Sequence, residues 1–129
     1  MTVAFLSQEW LDLLQQAAAG LPERPGATAR VQYVVSGAPD GDARYALSVV
    51  DGRIEAATLG DDPAAEVTLT QAYADARQVA EGELDASAAF MQGRTKVVGD
   101  MGKVMALMPL TRSSEYRDAL AEVSGQTDY

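Results

Sequence analysis

The chain contains no cysteine and no histidine. Without cysteine it has no disulfide, no thiolate nucleophile and no zinc–thiolate site. Without histidine the commonest general base and metal ligand are gone, so Ser-His-Asp and Cys-His catalysis are excluded. Positive charge is scarce: 10 Lys and Arg against 19 Asp and Glu give a formal net charge of -9. That balance opposes nucleic-acid binding, which needs phosphates neutralised by cations, and it disfavours adsorption to anionic lipid. Solubility is the simplest reading of the acidity. No run approaches the roughly 18 consecutive apolar residues of a membrane-spanning helix. The opening "MTVAFLSQEW" has neither a basic segment nor a long apolar run, so no signal peptide is expected and a cytoplasmic protein is.

With 129 residues, 47% hydrophobic and 22% charged, the chain has the size and balance of one domain spanning residues 1–129 with its own core. "SQEWLDLLQQAAAGLP" reads as a helix. Ser7 suits the N-cap and Glu9 the positive end of the dipole. Trp10, Leu14, Ala17, Ala18 and Leu21 recur at helical spacing, and Gly20 and Pro22 end the run. Strands follow. In "RVQYVVS", Val31, Tyr33 and Val35 alternate with Gln32, Val34 and Ser36; in "RYALSVV", Tyr45, Leu47 and Val49 share a face. Asp51 and Gly52 signal a two-residue hairpin. The return strand "RIEAATLG" is expected to turn Ile54, Ala56 and Thr58 inward, and "EVTLT" to turn Val67 and Leu69 inward.

Each alternation has one apolar and one mostly polar face. That is the pattern of a half-solvated antiparallel sheet, whose apolar face helices must cover. "TQAYADARQVAEG" supplies one helix, with Thr70 as its cap and Tyr73, Ala76, Val79 and Ala80 on one face. "LDASAAFMQG" supplies a second, capped by Asp85 and stopped at Gly93. A fifth strand, "RTKVVG", points Thr95 and Val97 inward. Asp100 then caps "MGKVMALMP", which is expected to end at Pro109. "SSEYRDALAEVSG" closes the series with Tyr116, Leu120 and Val123 on a single stripe, the easiest element to lift. The tail "QTDY" is expected to fray.

Few isolated residues carry chemistry. Asp61, Asp62, Asp40 and Asp42 fit turn formation, where Asp bonds its own backbone, better than metal ligation. Tyr33, Tyr45 and Tyr73 could offer hydroxyls to a pocket, but half-buried packing accounts for them. Val34, Val50 and Val98 interrupt the polar sheet face and form a candidate surface for a homodimer. The unusual stretch is residues 90–110, "FMQGRTKVVGDMGKVMALMPL", which holds four of the 5 methionines. Met101, Val104, Met105 and Met108 fall at i, i+3, i+4 and i+7, one side of a helix. Spacing alone reads this stripe as core. Methionine, with its soft torsions, specifies a core poorly and suits a wall that re-packs around variable apolar ligands.

The same region resembles the sterol carrier protein family of non-specific lipid-binding domains. Glu83, Leu84 and Asp85, then Phe90 and Met91, Gly93, Lys96 and Val97, Gly99, Asp100 and Met101, and Leu107 match the family pattern "GxLdaqxaFmxGKlKvxGdmgxxmkL". The upstream helix and strands fit in order and length. Arg94 replaces the usual Lys, and Thr95 stands where the family places an inward Leu. The resemblance implies an α+β fold: a single five-stranded, predominantly antiparallel sheet with helices packed on one face. It also implies an apolar tunnel between the two layers, for a long-chain lipid such as a fatty acid, a fatty acyl-CoA or a sterol. Phe90, Met91, Met101, Met105 and Met108 would line it, and Val97, Val104 and Leu110 complete the expected lipid-binding set. No cofactor, metal or catalytic residue is expected, and transfer between membranes would involve transient membrane contact.

Two other classes stay open. One is a non-catalytic interaction or dimerisation module whose pocket has collapsed. The other is a small isomerase-type enzyme of an apolar substrate. Such an enzyme needs a carboxyl of raised pKa in an apolar pocket, and no Asp or Glu falls on the apolar side of a strand.

Overall fold

Ser7 caps the first helix as its position predicts: its side chain accepts a hydrogen bond from the Trp10 amide at 3.2 Å. The computed structural model describes residues 2–39 and 41–128. Strand β1, Val3–Ala4, precedes helix α1, Gln8–Ala18. Strands β2, Ala29–Ser36, β3, Ala43–Val50, β4, Arg53–Leu59, and β5, Val67–Ala72, follow. Helices α2, Tyr73–Ala80, and α3, Ala86–Met91, lead to strand β6, Thr95–Gly99. Helices α4, Met101–Arg112, and α5, Ser114–Ser124, and strand β7, Thr127–Asp128, complete the order.

Five strands form one sheet in the order β4-β3-β2-β5-β6. Only β2 and β5 run parallel; the other neighbours are antiparallel. This is the expected α+β architecture. Asp51 and Gly52 both take positive φ, 49° and 85°, which is what a two-residue turn matching the strand twist requires. The core lies on the face bearing Val31, Val35, Leu47, Ile54 and Val67, all buried, and the helices cover it.

Several local expectations need correction. The register of β3 against β4 shifts at Ser48 and Val49, leaving Glu55 with no opposite residue. An extra residue in one strand reverses the side-chain alternation beyond it. Ile54 and Ala57 are therefore buried, while Ala56 and Thr58 are exposed. Thr70 does not cap α2: β5 continues to Ala72, and α2 starts with no side-chain cap. Pro109 does not end α4, which runs on to Arg112 because Leu110 is buried in the core and Ser113 terminates the helix through the Leu110 carbonyl. The tail is ordered as well. Thr127 and Asp128 pair in parallel with Val3 and Ala4, and the Thr127 hydroxyl donates to the Val123 carbonyl at 2.6 Å. Helix α5 is thus held at its far end by β7 and along its side by α1, rather than free to lift. Asp40 and Tyr129 lie outside the described residues.

Gly99, at the β6–α4 junction, has the tightest backbone approach. Its φ is 122°, and an added Cβ would stand 2.6 Å from the Glu66 carbonyl oxygen and 2.9 Å from the Val67 Cα. Neither neighbour can yield, because both are backbone of the central strand region. We expect Gly99→Ala to cost about 1–3 kcal/mol from its conformation alone. The melting temperature should then fall by roughly 5–15 °C. An unchanged melting temperature would show that this approach is looser than described.

Candidate functional site

The inner face of the sheet is arranged in rows across the strands, set by the two-residue period of each strand. Leu47, Val31 and Val67 form one row; Tyr45, Tyr33, Leu69 and Val97 form the next. In the third row Gln71 and Thr95 follow Val35. All five helices contribute to the roof, for example Trp10 from α1, Val79 from α2, Phe90 from α3, Leu107 from α4 and Tyr116 from α5. The roof does not meet the floor everywhere. Helix α2 offers Ala76 and Ala80 at this point, side chains too short to fill the gap. A cavity of about 120 Å³ results.

The wall is apolar with a few neutral polar groups. No Asp, Glu, Lys or Arg lines it among the described residues. Gln71 and Thr95 are buried and satisfy each other, Gln71 Nε2 donating to Thr95 Oγ1 at 2.9 Å. The Thr111 hydroxyl donates to the Met108 carbonyl at 3.1 Å. Aromatic rings make one side of the wall. Tyr33 and Tyr45 stack with centroids 4.7 Å apart and planes within 5°. Trp10 stands edge-on to Tyr45 at 5.6 Å, and Phe5 edge-on to Trp10 at 5.0 Å, favourable geometries for ring quadrupoles. Burial raises the phenol pKa of Tyr33 and of Tyr45 well above 10.0, and the neighbouring phenols add to this. Burial also pushes Tyr116 up to about 12.

An apolar cavity between a one-sided sheet and a helical layer is the arrangement on which the sequence comparison decides. The profile of the SCP-2 sterol transfer family matches residues 10–112. The chain belongs to that family.

Solved structures agree on the SCP-2 fold. Sterol carrier protein domain 2 of Helicoverpa armigera is 22% identical with a TM-score of 0.66, the match covering 97% of this chain and 93% of that one. Palmitated sterol carrier protein 2-like 2 of Aedes aegypti is 16% identical with a TM-score of 0.62, covering 88% and 96%. A stereoselective inverting sec-alkylsulfatase of Pseudomonas sp. is 25% identical with a TM-score of 0.53, over 81% of this chain and 16% of that one. The fold thus also occurs within a larger enzyme. No curated protein matches the chain by sequence.

Within this SCP-2 domain the residues expected at the site fall into two groups. Phe90, Val97, Val104 and Met108 line the cavity. Leu110 is buried in the core beside it, and Met91, Met101 and Met105 are 67%, 43% and 58% exposed, away from it. The face of α4 that meets the cavity is Val104, Leu107, Met108 and Thr111. It is the same i, i+3, i+4, i+7 series as the methionine stripe, begun three residues later. Trp10, Leu107, Tyr116 and Leu120 were not anticipated at the site. Trp10, Tyr116 and Leu120 did lie on the apolar stripes of their helices, which is the signal that could have found them.

The tyrosines give the cavity a pH signature. A raised folded-state pKa means the neutral phenol is favoured by the fold. That contribution is complete below pH 10.0 and is lost as pH rises through about 12, the Tyr116 value. Alkaline titration should therefore release phenolate absorbance from Tyr33, Tyr45 and Tyr116 together with a change in Trp10 fluorescence, as the fold opens. Phenolate appearing from all three near pH 10, with the folded signal intact, would contradict the described burial.

Proposed function

We propose that the chain binds a lipid or other apolar small molecule in this cavity and carries it chemically unchanged. The observation that supports this most directly is the wall itself: apolar side chains from every layer of the fold, with no ionisable acid or base of ordinary pKa among the described residues that line it. Without a histidine or cysteine in the chain, the usual residues for proton transfer or nucleophilic attack are missing as well. The Aedes aegypti protein that shares this fold is palmitated. The binding unit is residues 1–129 as a whole, since the wall draws on residues from Phe5 to Leu120.

The cavity volume sets a length. A cavity of about 150 Å³ holds one benzene, so this one has room for about five carbons as it stands. Burying that many at ~0.8 kcal/mol each gives a gross driving force of about 4 kcal/mol. Lost ligand freedom and side-chain ordering offset most of that, so binding in the cavity as it stands is about millimolar or weaker. A longer chain or a sterol requires the wall to give way, and Met108 and Leu107 on α4 are the deformable side chains that do so. Transfer between membranes adds a brief membrane contact, for which exposed Met91, Met101 and Met105 supply apolar side chains on two helices that pack together.

A series of n-alkyl ligands of increasing length, as alcohols and as carboxylates, tests this through the fluorescence of Trp10, the only tryptophan and a wall residue. Affinity should rise about fourfold per methylene up to about five carbons and less steeply beyond, where the wall has to give way. Val104→Phe, which fills the cavity, should weaken the longest ligands about tenfold or more, whereas Met105→Phe on the exposed side should leave them unchanged. Binding that ignores chain length, or that responds equally to both substitutions, would rule out this cavity as the site.

A further inference from the structure

The three tyrosines of the wall, Tyr45 buried and Tyr33 and Tyr116 partly so, have a property that packing does not require. Tyr33, Tyr45 and Tyr116 all line the cavity, and the rings of Tyr33 and Tyr45 stack with centroids 4.7 Å apart and planes within 5°. None of the three hydroxyls has a hydrogen-bond partner among the described residues. They are not sealed in either. The one enclosed, unpartnered side-chain atom among those residues is Arg24 Nε, so the tyrosine hydroxyls open on the cavity. Phenylalanine would fill the same rings' places without leaving polar groups unpaired. The other polar groups of the wall differ, since Gln71 and Thr95 bond each other and Thr111 bonds its own helix.

Resting on the reading of the cavity as an apolar-ligand site, we propose that Tyr33, Tyr45 and Tyr116 receive the polar end of the ligand, and that this end is an uncharged hydroxyl or carbonyl rather than a carboxylate. A phenol donates to a carbonyl oxygen, and both donates to and accepts from a hydroxyl. A carboxylate brought to the same place loses its water and finds no Lys or Arg on the wall to replace it. The chain's own charge of -9 adds repulsion for any anion. The phenols themselves stay neutral at any physiological pH, so they supply no compensating charge. The specificity-determining residues are therefore tyrosines on two adjacent strands and on the last helix, and the ligand enters with its polar group toward them.

Decanol, methyl decanoate and sodium decanoate share one alkyl chain and differ only in the head. Titrated into the wild-type chain at neutral pH, the alcohol and the ester should bind about tenfold tighter than the carboxylate or better. Tyr33→Phe combined with Tyr116→Phe should remove most of that margin. A second measurement does not depend on the variants folding. The ester carbonyl stretch of methyl decanoate bound to the wild type should shift to lower frequency, as it does on accepting a hydrogen bond. Decanoate binding as tightly as decanol, or an ester carbonyl unshifted from its value in hydrocarbon, would overturn the proposal and leave apolar-ligand binding standing. If none of the three binds, the cavity reading fails and this assignment fails with it.

Discussion

The edge-to-face contact between Trp10 and Tyr45 joins the two layers of the protein. Trp10 belongs to the first helix and Tyr45 to strand β3 of the main sheet, and each is part of a longer series of rings. Tyr45 stacks on Tyr33 of the neighbouring strand; Trp10 meets Phe5, and Phe5 lies 5.8 Å from Tyr73 on α2. Five rings thus run without interruption from the floor of the cavity, through its wall, to the start of α2. Aromatic side chains are bulky and have only two torsions, so a wall made of them holds its shape without filling the space beside it. The small side chains of α2 then keep that space open.

The polar groups follow the same logic. Among the described residues Asp, Glu, Lys and Arg stay off the cavity wall, and seven salt bridges between partly exposed side chains connect strands, loops and helices, each such pair contributing little on its own. On the wall, polarity is carried by amides and hydroxyls alone among the described residues. An uncharged interior lined by apolar atoms is inexpensive to keep dry, and neutral donors can orient a guest without the desolvation penalty that a buried ion brings.

The fold was largely legible in the sequence, and the site only partly. Strand alternation showed which face of the sheet is buried, because the period of two leaves no ambiguity where polar and apolar residues take turns. It failed at Glu55, where an inserted residue reverses the faces and no turn residue marks it. The caps at Ser7 and Asp100 were legible because a side-chain oxygen ahead of an apolar helix has a specific job. Helix α4 was misread for the opposite reason. Met101, Val104, Met105, Leu107, Met108 and Leu110 put apolar groups on nearly every side of it, so helical spacing finds a stripe from whichever residue it begins. What selects the inward face is contact with β2, β5 and the neighbouring helices, and that information is not local. The tail was likewise illegible: two residues paired with two others at the opposite end of the chain leave no pattern to read.

That terminal pairing governs the order in which the protein can be completed during synthesis. Val3 and Ala4 are made long before their partners Thr127 and Asp128. The Phe5 amide also donates to the Asp128 carbonyl, at 3.0 Å. The segment that carries the Phe5 ring therefore lacks these backbone bonds until residues 126–128 have been made. Among the described strands the first made waits for the last, so the strand pairing of greatest sequence separation is also the last of them to become available.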